Sequence, residues 1–264
     1  MQSVYHREFK TTLELQDIIK CFWYDRVNFE EFPDGLNIVP DGYAEIIFYF
    51  GSGCSILRNG NLQPLHSPFV IGLLSHPVQF YSQNKLEIIA IRCYPWTVFG
   101  LLGLPSGKGG VQMLKHPIAQ LQPVLNDLIN AGNKEEAIAV VQHYFMHAQL
   151  QQPANNTILK AGLAMNKAKG TLPVSQIANA AHATVRTLER NFKQSSGYSV
   201  KDVSGLMRFE QVRNRLLLEP ESNLAGLAQE LGYADQSHLS REFKRYSGTT
   251  PAAFARNAKD GKNK

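Results

Sequence analysis

The fold of the C-terminal part of this chain is decided by two similar stretches, Val185-Arg-Thr-Leu-Glu-Arg-Asn-Phe-Lys193 and Gln236-Ser-His-Leu-Ser-Arg-Glu-Phe-Lys244. Two copies of a pattern indicate a duplication rather than a solenoid. Each copy predicts a short helix, a tight turn and a second helix with a basic outer face, which is the arrangement that presents a helix to a DNA major groove. Identical residues stand 51 positions apart at five pairs: Leu188 and Leu239, Arg190 and Arg241, Phe192 and Phe243, Lys193 and Lys244, and Gly197 and Gly248.

The positive charge of the chain is concentrated in this duplicated segment. Residues 171–264 contain 14 Lys and Arg against 9 Asp and Glu, a net charge of 14 − 9 = +5, which equals the net charge of the whole 264-residue chain. Residues 1–170 are therefore neutral. Excess Lys and Arg can neutralise DNA phosphates and release counterions, although a mildly basic surface is also common in other proteins.

The cysteines and the hydropathy pattern predict a cytoplasmic protein. Three cysteines, Cys21, Cys54 and Cys93, lack paired spacing and lie in apolar stretches, so we expect ordinary core residues in a reducing compartment. No signal peptide opens the chain, and its apolar runs are too short to cross a bilayer. The length favours about two domains.

Residues 1–150 predict a domain that contains strands followed by a helical hairpin. Up to about residue 95, short runs rich in β-branched and aromatic residues are separated by turns such as Asn59-Gly60, which favours a small β-barrel or sandwich. Helical spacing then appears over 117–130 and 134–150. We expect this hairpin to form a dimer contact or a coupling element, or to pack on its own chain. A polar linker at 149–156 precedes the C-terminal domain.

The C-terminal domain predicts two capped helices joined by a long one. Thr184 and Asp235 are expected to cap the two basic helices. Buried stripes are predicted at Val185, Leu188 and Phe192 in the first of these helices, and at Leu239 and Phe243 in the second. A linking helix over 199–218 is about 30 Å long at about 1.5 Å per residue. One turn of B-DNA is about 34 Å, so two recognition helices can enter successive major grooves.

Residues 157–258 resemble the DNA-binding domain of the AraC/XylS family of transcription regulators. The resemblance is carried by the two helix-turn-helix units and by the closing motif Gly232-Tyr-Ala-Asp-Gln-Ser-His-Leu-Ser-Arg-Glu-Phe-Lys-Arg-Tyr-Ser-Gly-Thr-Thr-Pro251. The first unit has His182 where the second has Gly232, the residue usual in the family. Because a left-handed residue other than glycine costs free energy, the first turn is expected to be looser or differently shaped, and its ability to contact bases is left open.

The same resemblance implies which side chains contact DNA. Arg pairs with guanine, Glu accepts from cytosine, and Ser or neutral His serves either role. Two of the residues have local alternatives, since Glu189 can pair with Arg186 or Lys193 and His238 can be an ordinary surface residue. The implied base contacts are Arg186, Glu189, Arg190, Ser237, His238 and Arg241, and the implied phosphate contacts are Thr184, Lys193, Gln236, Lys244 and Arg245.

The N-terminal domain resembles, less specifically, the cupin-like sensor domains of such regulators. Its histidines His66 and His76 are isolated, so we expect no metal centre. A small-molecule site with a few polar groups is predicted from residues on or beside strands. The alternative is that the aromatic residues among them are core and that the charged pair only binds itself. The candidate residues are Trp23, Tyr43, Glu45, Arg92 and Tyr94.

Two further patterns are read as structural. The glycine-rich 102–109 lacks the Ser or Thr of a phosphate loop, and His143 and His147 lack the Glu of a zinc protease, so a loop and a helix face are predicted.

The sequence therefore predicts an α+β chain of several parts: a cupin-like barrel with a helical hairpin at 1–150, an all-α DNA-binding domain at 157–258, and a basic tail at 259–264. The expected function is regulation of transcription by sequence-specific binding of double-stranded DNA under control of a small effector, without cofactor or catalysis. RNA polymerase and a second copy of the chain are expected partners. Two alternatives are an N-terminal domain that only dimerises or contacts protein, and a cupin-type enzyme tethered to DNA.

Overall fold

The computed structural model describes residues 4–96, 110–150 and 157–262. It forms two compact units. Unit 1 comprises residues 1–38, 43–72 and 78–156, and unit 2 comprises residues 39–42, 73–77 and 157–264. Two short segments of the N-terminal sequence, residues 39–42 and 73–77, thus belong to the C-terminal unit. The predicted division of the chain at a single linker places both segments in the N-terminal domain. The predicted loop at 102–109 and most of the predicted linker lie outside the described residues.

Unit 1 has two antiparallel sheets and not one closed barrel, where the sequence favoured a small β-barrel or sandwich. The six-stranded sheet has the order β1-β2-β9-β4-β7-β10, and the four-stranded sheet has the order β3-β8-β5-β6. Among the strands of the described residues, none pairs from one sheet to the other. The strands are β1 Val4–Lys10, β2 Ile19–Asn28, β3 Leu36–Ile38, β4 Ala44–Gly51, β5 Cys54–Arg58, β6 Asn61–Leu65, β7 Phe69–Ile71, β8 Val78–Ser82, β9 Lys85–Cys93 and β10 Val111–Met113.

The pairing of the strands shows how they divide between the two sheets. Strand β9 pairs along almost its whole length with both β2 and β4, so these three strands form one continuous platform. The shorter β5 turns back at Asn59-Gly60, where both residues have positive φ, and pairs with β6 and β8 in the second sheet. The predicted Asn-Gly hairpin is thus confirmed. The short apolar runs of the sequence do not predict which strands pair with each other.

The helical hairpin covers one face of the six-stranded sheet. A 3-10 helix at Pro117–Leu121 leads into α1 (Gln122–Asn130), and α2 (Lys134–Leu150) returns after a turn at Gly132. Alternate residues of β2 and β4, such as Phe22 and Phe48, point toward the hairpin and share a core with it. The apolar side chains of the hairpin therefore pack on their own chain. Those fully buried in this core are Ile118, Leu125, Ile129, Ala137, Ile138, Val141 and Phe145.

Unit 2 is formed mainly by helices. Its core is centred on the linking helix, whose predicted apolar stripe is confirmed, since Val203, Leu206, Phe209, Val212 and Leu216 are all buried. The last helix includes residues 259–262 of the predicted basic tail. The helices are α3 Thr157–Lys167, α4 Val174–Ala180, α5 Val185–Ser196, α6 Val200–Leu218, α7 Leu224–Glu230, α8 Gln236–Ser247 and α9 Pro251–Lys262.

Two further observations concern the whole chain. Cys21, Cys54 and Cys93 are buried free thiols, as predicted, and burial raises the pKa of Cys21 to about 11 and that of Cys54 to about 12. None of the helices in the described residues combines the length and the apolar composition needed to cross a membrane.

Candidate DNA interface and effector site

The first helix-turn-helix unit consists of α4 and α5. Thr184 caps α5, because its hydroxyl accepts a hydrogen bond from the Thr187 amide at 3.2 Å. Leu188 and Phe192 are fully buried, which fixes the face that α5 turns toward the core. The helix ends at Gly197 in the left-handed conformation. Val185 was predicted to be buried but is 43% exposed, because as the first residue of α5 it projects beyond the edge of the core.

The second unit, α7 and α8, repeats these features. The Asp235 carboxylate accepts a hydrogen bond from the His238 amide at 2.7 Å and so caps α8. Leu239 and Phe243 are buried, and Gly248 ends the helix in the left-handed conformation. Both predicted caps are thus confirmed, and the core faces of α5 and α8 are equivalent.

The turns of the two units have the same conformation despite their different residues. His182 has φ +51° and Gly232 has φ +71°. The next amides bond in the same way, with Ala183 N donating to Ala178 O at 3.0 Å and Tyr233 N donating to Ala228 O at 2.9 Å. The expectation of a differently shaped first turn is therefore wrong. The hydrogen bonds and the burial of the flanking helices hold His182 in a region that disfavours it.

Most of the predicted DNA-contacting side chains are exposed on the outer faces of α5 and α8. Arg190 and Arg241 occupy equivalent positions in the two helices and are both exposed. Basic residues follow toward the C-terminal end of each helix. The exposed members of the predicted set are Thr184, Arg186, Arg190 and Lys193 in the first unit and Gln236, Ser237, Arg241, Lys244 and Arg245 in the second.

The two remaining residues, Glu189 and His238, are half-buried and bind their own chain. Glu189 Oε2 accepts a hydrogen bond from the Val200 amide at 3.2 Å, at the first turn of α6. His238 Nδ1 accepts from the Ala234 amide at 3.4 Å, and its ring lies edge-on to Tyr233 at 5.4 Å.

The N-terminus of the linking helix α6 is capped by side chains. Ser199 and Asp202 form a reciprocal capping box, in which each side chain accepts a hydrogen bond from the backbone amide of the other residue. With 19 residues, the helix is about 28 Å long at about 1.5 Å per residue. Its predicted length and start are thus confirmed.

The five predicted effector-site residues lie together in unit 1. Trp23 Nε1 donates to Glu45 Oε1 at 3.1 Å, and Arg92 Nε donates to the same oxygen at 2.7 Å. The Arg92 guanidinium lies 5.5 Å from the centre of the Tyr43 ring, whose own centre is 5.9 Å from that of Tyr94. Glu45 is only 7% exposed, so these hydrogen bonds take the place of contacts with water.

This cluster extends to residues that the sequence did not identify. Trp96 stacks on Tyr94 with ring centres 5.0 Å apart, and its buried indole N–H has no acceptor among the described residues. On β2, two positions from Trp23, Asp25 binds His6 at 2.5 Å. Burial raises the pKa of Asp25, while His6 and Arg92 oppose that rise. Strand pairing of β1 with β2 brings His6 opposite Asp25, and pairing of this kind cannot be read from residue spacing.

The helical hairpin holds a second histidine pair. His143 Nε2 and His147 Nε2 are 3.0 Å apart on the outer face of α2. In the part of the chain that the structure describes, no group of three or more His, Cys, Asp or Glu side chains is placed to hold a metal ion. A hollow of about 600 Å³ beside them is lined by Leu121, Glu136, Ala139, Val140, His143, Tyr144, His147 and Ala148.

Comparison with known protein families identifies two regions of the chain. Residues 177–257 match a helix-turn-helix domain, and this range begins within α4 and ends within α9. Residues 7–109 match a domain of unknown function, DUF6597.

Individual relatives match part of the chain. The transcriptional activator RhaS of Pectobacterium carotovorum is 24% identical over 170 residues, which are 58% of this chain and 61% of RhaS. The transcriptional regulator RipA of Corynebacterium glutamicum is 32% identical over 81 residues, which are 31% of this chain and 24% of RipA. The chain thus spans less than two thirds of either relative.

A solved structure resembles the chain over most of its length. ToxT of Vibrio cholerae, bound to a methylnaphthalenyl butenoic acid, is 10% identical, with a TM-score of 0.48 over 97% of this chain and 100% of ToxT.

Proposed function

We propose that the chain is a transcription regulator of the AraC/XylS family, which binds a specific duplex site through both helix-turn-helix units and regulates transcription there. The observation that carries the proposal is the equivalence of α5 and α8. Both helices are capped, both bury the same face, and both expose an arginine at the equivalent position, Arg190 or Arg241. Since bacterial DNA lies in the cytoplasm, the proposed site of action is cytoplasmic.

Within this proposal, the exposed side chains divide into two roles. Arg186 and Arg190 of α5, with Ser237 and Arg241 of α8, contact base edges. Side chains at the helix starts and in their last turns contact phosphates and set the register, as proposed for Thr184, Lys193, Gln236, Lys244 and Arg245. We assign Glu189 and His238 to intramolecular support instead, because each accepts a backbone hydrogen bond within its own unit.

The proposal is tested by selecting random duplexes on the full-length protein. We expect an enriched site with two short conserved blocks about 10 base pairs apart, because the two helices enter successive grooves. Repeating the selection with Arg190→Ala and with Arg241→Ala is expected to remove one block each. A single block in the wild-type selection would show that one unit alone contacts bases, and no enrichment for any sequence would contradict the proposal.

For unit 1 we propose that the Trp23–Glu45–Arg92 cluster and its adjoining aromatic rings bind a small effector. The indole N–H of buried Trp96, which has no acceptor among the described residues, supports a ligand that has a hydrogen-bond acceptor. The Tyr43 and Tyr94 rings favour a ligand with a flat or apolar face. Effector binding then shifts the population of the chain that is competent to bind DNA or RNA polymerase.

A thermal-shift screen of small molecules tests the effector proposal. Any compound that stabilises the wild-type protein is tested again on Trp96→Phe, which removes the indole N–H but keeps an aromatic ring. We expect the stabilisation by the compound to fall in Trp96→Phe. In Trp23→Phe the stabilisation should be unchanged if Trp23 contacts only Glu45, and it should fall if Trp23 also contacts the ligand. If no compound in a broad library binds, the alternative of a unit that only dimerises or contacts protein is favoured.

We further propose that the outer face of the hairpin forms a homodimer contact. The side chains that line its hollow are mainly apolar, and Val140 and Tyr144 are only partly covered by their own chain. Light scattering of the wild type and of Val140→Asp is the test. We expect the wild type to be dimeric and the variant to be monomeric, and a wild type that stays monomeric at high concentration would contradict this contact.

A further inference from the structure

Arg208, in the middle of the linking helix α6, contacts three other parts of unit 2. Its Nη1 donates to Gly170 O at 3.0 Å, and its Nη2 donates to Glu242 Oε1 at 3.4 Å. Its guanidinium carbon lies 5.1 Å from the centre of the Tyr233 ring. The Arg208 and Glu242 side chains are only 14% and 15% exposed, so this is a largely buried ion pair.

These contacts reach both helix-turn-helix units. Gly170 precedes α4 of the first unit, whereas Tyr233 lies in the turn of the second and Glu242 lies on its recognition helix α8. Glu242 directly follows the exposed Arg241, so the ion pair fixes the rotation of α8 and with it the direction of Arg241. A single side chain of α6 therefore links the start of one unit to the recognition helix of the other.

The backbone is shaped for these contacts. At Gly170, with φ +76°, a Cβ atom would lie 2.5 Å from Ser204 O, so the chain approaches α6 more closely than any other residue allows. At Gly205, a Cβ atom would lie 3.2 Å from Glu242 Oε2 and 3.3 Å from the Tyr246 hydroxyl. Glycine at both positions allows α6 to approach the first unit on one side and α8 on the other.

The first recognition helix is held to the same linking helix by another carboxylate. Glu189 of α5 accepts a hydrogen bond from the Val200 amide at 3.2 Å, in the first turn of α6. A carboxylate at this end of a helix is also favoured by the helix dipole. Both recognition helices are thus connected to α6 by a buried or half-buried carboxylate.

We propose that Arg208, together with Glu242, is a positioning residue that sets the spacing and relative rotation of the two recognition helices, and hence the number of base pairs between the two half-sites. This rests on the proposed binding of DNA by both units. A buried ion pair is weak evidence for stability, and Arg208 Nε is itself buried without an acceptor in the described residues, so geometry is the better explanation of the pair.

Spacing is a sensitive readout of this role. One base pair of B-DNA advances the groove by about 3.4 Å and rotates it by about 35°. Two helices held rigidly match one spacing, and at another spacing one of them loses its base contacts. Helices that move relative to each other accept several spacings at similar affinity.

The experiment measures the affinity of the full chain for its selected site and for duplexes in which one to three base pairs are added or removed between the two blocks. The test variant is the double change Arg208→Met with Glu242→Gln, which keeps the side-chain volumes and leaves no unpaired buried charge. The control is Arg215→Met, which removes an arginine from the same helix that pairs with Glu230 at 3.2 Å in an exposed setting.

We expect the wild type and Arg215→Met to lose about tenfold or more in affinity per base pair of altered spacing, since each good base contact contributes about 1 to 3 kcal/mol. In the double variant we expect less than a threefold change over the series, with affinity for a single block unchanged. Arg208→Lys, which keeps the charge but cannot span Gly170 and Glu242 together, is expected to be intermediate.

Two results would overturn the proposal, and they are distinguishable. If the double variant binds single blocks and keeps the wild-type spacing profile, Arg208 does not position the helices. If the wild type itself shows no preference for spacing, the premise that two units bind DNA together is wrong, and the inference fails with it.

Discussion

At the residue scale, Arg241 and Lys244 of α8 are expected to differ in what they contribute to DNA binding. Both are exposed, and Lys244 lies in the last turn of the helix. Base contact is proposed for Arg241 and phosphate contact for Lys244. Arg241→Ala should weaken specific binding by about 1 to 3 kcal/mol and relax the preference at one base pair. Lys244→Ala should weaken binding to all sequences alike and reduce the salt slope by about one.

Titration of binding against salt for both variants is the measurement. Unchanged affinity and unchanged base preference in Arg241→Ala would show that the outer face of α8 is not the face that contacts DNA.

His182 provides a second residue-scale prediction, because the first turn holds it in the left-handed region at φ +51°. The left-handed conformation costs an ordinary residue about 1 to 2 kcal/mol, and glycine avoids most of that cost but loses more entropy on folding. His182→Gly should therefore raise the free energy of unfolding of unit 2 by about 0.5 to 1 kcal/mol.

The matched control is Gly232→Ala in the second turn. An added Cβ atom there would meet Thr171 at an ordinary distance of 3.8 Å, so the cost comes from the backbone at φ +71° alone. We expect a loss of about 1 kcal/mol in the same urea titration. If His182→Gly were destabilising, the imidazole would make a contribution to folding that its exposed position does not explain.

At the scale of the element, the buried tyrosines of unit 2 make α8 sensitive to alkaline pH. Burial, with the nearby Glu242 carboxylate as the next cause, raises the pKa of Tyr246 from its usual 10.0 to about 12. Because the folded state holds the proton more tightly, the stabilisation is fully present below pH 10 and is lost as the pH rises from about 10 to about 12.

Tyr246→Phe removes the ionisable hydroxyl and keeps the aromatic ring, whose centre lies 5.3 Å from the centre of the Phe209 ring. We expect a shallower loss of unfolding free energy above pH 10 in this variant, measured by urea unfolding at a series of pH values. The wild-type slope persisting unchanged in the variant would assign the alkaline sensitivity to another group, such as Tyr233, whose pKa burial also raises.

The elements also show what the sequence could and could not predict. Caps, apolar stripes and the Asn59-Gly60 turn depend on neighbours within a few residues, and their predictions are confirmed except at Val185, which is exposed. The division of the strands between two sheets depends on pairing over long sequence distances, such as β2 with β9, which short apolar runs do not specify. For the same reason His6 and Asp25 were not identified, although Glu45 and Arg92 were, since opposite charges on strands suggested a pair.

At the scale of the whole molecule, the chain passes between its two units more than once. Residues 39–42 and 73–77 belong to unit 2, although the sequence around them forms the strands of unit 1. Within unit 2, the Tyr198 hydroxyl donates a hydrogen bond to Leu73 O at 2.6 Å. A Cβ atom added at Gly42 would lie 3.6 Å from Leu206. The polar linker predicted at 149–156 is therefore not the only covalent connection between the units.

This connectivity predicts that residues 157–264 alone are less stable than the same residues in the full chain. The test compares Tyr198→Phe in the two contexts. In the full chain the change leaves Leu73 O without its donor and should cost about 1 kcal/mol, whereas in the fragment Leu73 is absent and the change should cost almost nothing.

Hydrogen exchange of amides in α6 measures both losses by the same readout, since its buried amides open with unit 2. An equal loss in the two contexts would mean that the Tyr198 hydroxyl contributes independently of Leu73. A larger loss in the full chain would show that the segment at 73–77 stabilises the DNA-binding unit. Because Leu73 lies two residues after Ile71, which pairs with Glu45, a change at the proposed effector site then has a short covalent route to that unit.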